Sequence, residues 1–146
     1  MDTALSIIGF YFALIGFISG LFFTRLDSWY GDVREFYGSY SGEDPAKKNT
    51  PDNCRKNRIK QMGLEQSTPL GSFVVVGLLT TALTLLSWGV PITDPQMNTF
   101  LFLRLPLILT VLVYWIGGFI LLSKSQSLLT LIKTEIDKVL GPLPKP

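Results

Sequence analysis

The sequence predicts an all-α integral membrane protein, with three transmembrane helices and two short amphipathic interfacial helices on the inner side of the bilayer. Three observations predict it. Of the 146 residues, 47% are hydrophobic and 16% charged, against roughly 25% charged in an average soluble protein. The apolar residues gather into three long runs rather than spreading evenly. Twelve of the thirteen lysines and arginines fall in alternate segments between those runs. Mean hydropathy is +0.35, which excludes a disordered chain and disfavours an ordinary water-soluble globule.

The first run, Ala4 to Phe23, carries no charge and stops at Arg25. At 1.5 Å rise per residue, about 20 residues cover the roughly 30 Å hydrocarbon core. This span is expected over about 4–24. Met1-Asp2-Thr3 supplies no basic segment ahead of it, and no small-x-small cleavage pattern follows, so it is expected to be a retained span rather than a signal peptide. Gly9, Ala13, Gly16 and Gly20 form a stripe of small residues on it. Such stripes let helix backbones approach in lipid, where apolar association has no hydrophobic drive.

An inner loop is expected over 25–69. Its first part, about 28–41, is amphipathic: Trp29, Tyr30, Val33, Phe36, Tyr37 and Tyr40 share a sector roughly 120° wide on a helical wheel, with Asp27 or Ser28 at the start and Gly42 at the end. Trp and Tyr favour the headgroup level, where ring and polar tip are both satisfied. The face is therefore expected to lie on the inner leaflet or against a partner subunit. Residues 41–50 are polar and turn-rich, and irregular chain is expected there. A basic stretch follows, with Lys47, Lys48, Arg55, Lys56, Arg58 and Lys60; Asp52 or Asn53 is expected to cap a short helix through Gln61. Juxtamembrane clusters of this kind attract anionic lipid, or act only as the topogenic signal. The loop also carries seven acids, and nucleic acid is not an expected partner.

The second span, about 70–90, is uncharged and holds a hydroxyl-bearing stripe with Thr80, Thr84 and Ser87. The third, about 95–122, carries one charge, Arg104, with Pro106 two residues on and Gly117-Gly118 further along. Asp94-Pro95 reads as an N-cap followed by proline at the first helical position. Arg104 is expected to snorkel to the outer interface, or to pair with Asp94 or with an acid on a neighbouring subunit. A last amphipathic helix is expected over about 126–140, ended by Gly141-Pro142. The whole of 1–146 is read as a single membrane domain.

Orientation follows from the cations. Eight lie in 25–69 and four after the third span, with none before the first span or in 91–98. The N-terminus is therefore expected outside, with 25–69 and the C-terminus inside, in a bacterial inner, thylakoid or organellar inner membrane.

The chemistry is sparse. With no histidine and one cysteine, the commonest metal ligand and general base are absent, and no internal disulfide forms. The apolar runs contain no Asp, Glu or Lys, the groups that proton relays and ion-coupled carriers use. No catalytic residue, cofactor or metal is expected. The expected role is a non-catalytic accessory subunit of a larger membrane complex, respiratory or photosynthetic by analogy. Its expected contacts are Gly9, Ala13, Gly16, Gly20, Thr84, Arg104, Gly117 and Gly118 toward helices, and the aromatic and basic residues of 29–60 toward lipid or partners. The rival is a small homo-oligomeric channel or transporter with a Thr/Ser-lined pore. A lipid-handling enzyme using Asp32 and Glu35 stands third.

Overall fold

The computed structural model describes residues 2–89 and 97–143, with side chains over 6–89 and 104–143. Every regular element among them is a helix: α1 (Asp2–Gly42), α2 (Pro45–Lys48), α3 (Pro51–Gln66), α4 (Leu70–Ser87) and α5 (Met97–Leu140). Three apolar stretches, on α1, α4 and α5, are long and apolar enough to cross a membrane. The 18 residues of α4 give about 27 Å of helix, close to the hydrocarbon thickness. Asp94, Pro95 and the cap they were expected to form lie outside the described residues.

Two expected boundaries are absent. Residues 28–41 are not a separate helix but the end of α1, and 126–140 are the end of α5. Composition changes sharply at 24–27 and at 123–127, but neither stretch contains a proline or a glycine. A change from apolar to amphipathic pattern does not itself stop a helix. The expected stop at Gly141 is present: Gly141 has φ +79°, its N–H donates to the Asp137 carbonyl at 2.9 Å, and Pro142 follows. In 41–50, expected to be irregular, Asp44 caps the short α2: its Oδ1 accepts from the Ala46 N–H at 3.1 Å, with Pro45 in the first turn. α3 is longer than expected and starts earlier. Its N-cap is Thr50, followed by Pro51, so Asp52 falls in the first turn rather than at the cap.

Buried positions recur in steps of three and four. On α5 they are Arg104, Leu107, Val111 and Tyr114, then Leu122, Ser125, Leu129, Ile132 and Ile136. That mean period near 3.5 is the one that keeps a seam facing neighbouring helices in bundles.

Packing divides the chain into two compact units, Met1–Leu26 with Leu70–Phe119, and Asp27–Pro69 with Ile120–Pro146. In the first, Ile8, Ile15, Leu107 and Val111 form a core, with Leu83 and Trp115 packed on it. An aromatic group adjoins it: Phe73 stacks on Tyr114 at 5.3 Å between centroids and meets Trp115 edge-on at 5.2 Å. The Tyr114 hydroxyl donates to the Phe73 carbonyl at 2.8 Å. In the second unit Tyr40, Cys54, Ile132 and Ile136 form the core, with Phe36, Tyr37 and Leu140 against it.

Candidate functional site

Around its apolar core, the first unit covers several polar side chains and leaves large apolar ones open. It buries Ser19, Thr80, Thr84, Ser87 and Arg104, while Phe10, Phe17, Val75, Leu85, Val113 and Phe119 are each at least 65% exposed. Of the most apolar windows of the three long stretches, the chain itself buries only 22%, 28% and 28%. Large apolar surface left open at this density marks contact with lipid or another protein.

The small residues divide into two sets. Gly77, Gly117 and Gly118 serve packing within the unit. A Cβ at Gly118 would overlap the Phe73 ring, one at Gly77 would stand 2.5 Å from Cζ2 of Trp115, and one at Gly117 3.2 Å from Cζ of Phe23. Gly9, Ala13, Gly16 and Gly20 instead face outward. A Cβ at any of those three glycines meets nothing within 4 Å. On α1 the seam positions are Ile8, Ile15, Ser19 and Phe22; the small stripe flanks that seam, and Phe10, Phe17 and Leu21 are exposed beyond it. Beside it, Ser19, Gly20, Phe23, Leu109, Thr110, Val113 and Tyr114 line a groove of about 300 Å³. The buried Ser19 Oγ has no hydrogen-bond partner among the described residues.

The hydroxyls of α4 are turned back on their own helix. Thr80 and Thr81 donate to the Gly77 carbonyl at 3.0 and 2.7 Å, Thr84 to Thr80 at 2.9 Å, and Ser87 to Thr84 at 2.6 Å. Thr81 also accepts from the Trp115 indole N–H at 3.2 Å. Thr80, Thr84 and Ser87 are buried. Arg104 is only 3% exposed, so it does not reach outward as snorkelling requires. Its guanidinium lies 5.8 Å from the Trp88 ring centroid, within cation–π range. The expected partner Asp94 lies outside the described residues.

In the second unit the aromatic face of 29–40 turns inward, which corrects the expectation of a face bedded on the leaflet. Trp29, Val33 and Tyr40 are buried; Tyr30, Phe36 and Tyr37 are half-buried. The Trp29 indole N–H donates to the Leu64 carbonyl at 3.2 Å. The physical reason is that α3 and the end of α5 offer apolar seams of their own, through Cys54, Ile132 and Ile136. Leu129, on the other amphipathic segment, is buried too.

The six cations also divide. Lys48 reaches the Glu135 carboxylate at 2.8 Å and stands 4.0 Å from the Tyr40 ring centroid. Arg58 donates to Asp137 Oδ1 and to the Gly141 carbonyl, both at 2.7 Å. It therefore ties α3 to the last turn of α5, where a cation is favoured by the carbonyl ends. Lys47, Arg55, Lys56 and Lys60 remain exposed. The hydrogen bond from Lys48 holds the Glu135 carboxyl below its usual range, against an opposing push from burial, and Tyr40 adds a further hydrogen bond. Burial, then the hydrogen bond to Glu135, raises the Tyr40 hydroxyl well above an ordinary phenol. Cys54 is buried and its thiol donates to the Lys48 carbonyl at 3.2 Å. The buried amide nitrogens of Asn57 and Gln61, one turn apart on α3, have no partner among the described residues.

Asp32, Glu35, Phe36, Ser39, Lys60, Gly63 and Leu64 line an open groove of about 390 Å³. Among the described residues no group of three or more His, Cys, Asp or Glu is placed to hold a metal ion. Sequence reasoning missed Glu135 and Asp137 as partners of the basic stretch. They lie 87 and 79 positions from Lys48 and Arg58, and no local pattern couples them.

No protein family, no curated protein and no solved structure matches this chain.

Proposed function

We propose that the chain is an integral membrane protein that acts as a non-catalytic accessory subunit of a larger membrane complex, stabilising its assembly and binding lipid. One observation carries the subunit reading. The small-residue face of α1, Gly9, Ala13, Gly16 and Gly20, is exposed, and added methyl groups on its glycines meet nothing within 4 Å. In lipid, a face of small residues gains its use from a second helix lying against it. The outward apolar surface supports the bilayer setting, since Thr80, Thr84 and Ser87 are covered while Phe10, Phe17, Val75 and Leu85 are open. The cation count supports an N-terminus outside, with 25–69 and the C-terminus inside. A bacterial inner, thylakoid or organellar inner membrane fits this reading.

A Thr/Ser-lined pore receives no comparable support. Thr80, Thr84 and Ser87 are buried, so conduction along them would require α4 to part from the residues that cover it.

The test is blue-native electrophoresis of membranes solubilised in a mild detergent, with mass spectrometry of the band. Migration with larger, reproducible companions is expected. Migration solely as a free chain of 16.3 kDa would overturn the subunit reading. Orientation is read with an impermeant maleimide on a cysteine placed at exposed Gln66 in a Cys54→Ser background. Reaction from the outer side would reverse the topology.

A further inference from the structure

The outer face of α3 joins two features that neither the sequence pattern nor the ion pairs explain. Its inner face, Cys54, Asn57 and Gln61, is buried. On the opposite side Ile59 is 73% exposed, the most exposed large hydrophobic residue of the chain's described part, and Met62 is 37% exposed. Arg55 and Lys56 stand one turn before that isoleucine, at the spacings that make surface neighbours on a helix, and Lys60 follows it in the sequence at the edge of the same arc. All three are exposed. On a wheel at 100° per residue, Met62, Arg55, Ile59, Gly63, Lys56 and Lys60 fall in one sector of roughly 160°. The one carboxylate on that arc, Asp52, sits in the first turn, where the helix N-terminus balances it.

We propose that this face of α3 is a docking surface for an anionic phospholipid leaflet, with Ile59 seated among headgroups that Arg55, Lys56 and Lys60 contact. The inference rests on the membrane reading above and assigns the lipid-binding part of it to particular residues. Three arguments favour a leaflet. Lys48 and Arg58 are held in ion pairs, and of the four exposed cations that remain in the basic stretch, all but Lys47 lie on the same arc as the apolar side chain. A cationic rim with an apolar centre matches the headgroup and acyl boundary, the pattern of peripheral amphipathic helices. In the sequence only residues 67–69 separate α3 from the second apolar run, which makes its cations juxtamembrane in the chain, the setting in which basic clusters attract anionic lipid. Asp32 and Glu35 share a groove with Lys60, but that lining includes neither Arg55 nor Lys56, so the acidic border touches one edge of the face.

The test uses the full chain with Cys54→Ser and Gly63→Cys, labelled with an environment-sensitive fluorophore. Gly63 is exposed on this arc, and a Cβ added there meets nothing within 4 Å. The labelled protein is reconstituted into nanodiscs of phosphatidylcholine alone or with 30% phosphatidylglycerol. In the anionic discs a blue shift and quenching by nitroxide-labelled phosphatidylglycerol are expected. Both should vanish with Arg55→Gln/Lys56→Gln/Lys60→Gln, weaken with Ile59→Asn, and persist with Arg55→Lys/Lys56→Arg/Lys60→Arg. Unchanged helical circular dichroism confirms that each variant is folded. An emission that stays water-like in anionic discs would overturn the proposal, as would an equal shift in pure phosphatidylcholine. Protection seen only when a protein companion is present would assign the face to that companion and overturn it too. Failure of the chain to enter discs at all would count against the membrane reading, a separate outcome.

Discussion

Adding one methyl group at Gly118 or at Gly20 separates the two kinds of small residue. Both glycines lie inside helices, so Gly→Ala brings each the same gain in helix propensity, about 1 kcal/mol. The surroundings differ. At Gly20 the new Cβ meets nothing within 4 Å, whereas at Gly118 it overlaps the Phe73 ring. That ring cannot swing freely, because it stacks on Tyr114 at 5.3 Å and meets Trp115 at 5.2 Å. Overpacking of such a site costs about 1–3 kcal/mol. The propensity gain cancels between the two variants, so their stabilities should differ by about 1–3 kcal/mol, with Gly118→Ala the weaker. Detergent-solubilised protein unfolded with SDS and followed by tryptophan emission reads the difference. The same comparison extends to assembly: Gly16→Leu/Gly20→Leu should leave the isolated chain folded while removing it from the high-mass band. Equal stability of Gly118→Ala and Gly20→Ala would refute the packing argument. Retention of the double leucine variant in the band would refute the role given to the outward stripe.

Arg58→Ala should destabilise the second unit by about 1.5–3 kcal/mol, because a half-buried cation donates to both Asp137 and the Gly141 carbonyl; amide exchange near 137–141 would report it, and unchanged protection would count against the link. Tyr114→Phe removes a buried hydrogen bond to the Phe73 carbonyl and should cost about 1 kcal/mol in the same SDS titration, with no change as the contrary result. The Glu135 carboxyl is held low, so its contribution is present above the usual carboxylate range and lost as pH falls through its lowered value. The raised Tyr40 hydroxyl contributes below the ordinary phenol value of 10.0 and loses that contribution as pH rises through its own. Thermal unfolding against pH should therefore weaken at both ends, and Glu135→Gln should remove the acid-side fall attributable to this group. Cys54, buried beneath its bond to Lys48, should react with maleimide many times more slowly in the folded protein than in SDS.

Much of the helical content was legible because length and hydropathy alone decide it. Runs such as Leu70 to Val90 have few alternatives to a helix, and Gly141-Pro142 announces a stop through backbone geometry. The joins were not legible. Arg25-Leu26-Asp27-Ser28 changes the character of the chain without a residue that ends a helix, so pattern suggested two elements where α1 is one. The direction of the aromatic face was ambiguous for a different reason. Trp29, Val33 and Tyr40 suit an apolar seam as well as a headgroup layer, and only the presence of Cys54, Ile132 and Ile136 opposite Tyr40 decides between them. The basic stretch posed the same difficulty: which cations are paired depends on Glu135 and Asp137, residues too distant in sequence for any local signal.

The two units are sorted for different solvents, and that contrast argues for the bilayer more strongly than hydropathy does. In the second unit Leu129, Ile132 and Ile136 are buried, while Lys47, Arg55, Lys56 and Lys60 are exposed, the order water imposes. In the first unit the covered positions include Ser19, Thr80, Thr84, Ser87 and Arg104, and the open ones include Phe10, Phe17, Val75 and Leu85. Water would penalise every one of those exposed side chains and would gain nothing from hiding hydroxyls. Lipid reverses both terms. An exposed leucine is neutral against acyl chains, and a hydroxyl is better placed donating to a carbonyl, as Thr84 does to Thr80, than facing hydrocarbon. Each order is the one that a particular solvent would impose, acyl chains on the first unit and water on the second.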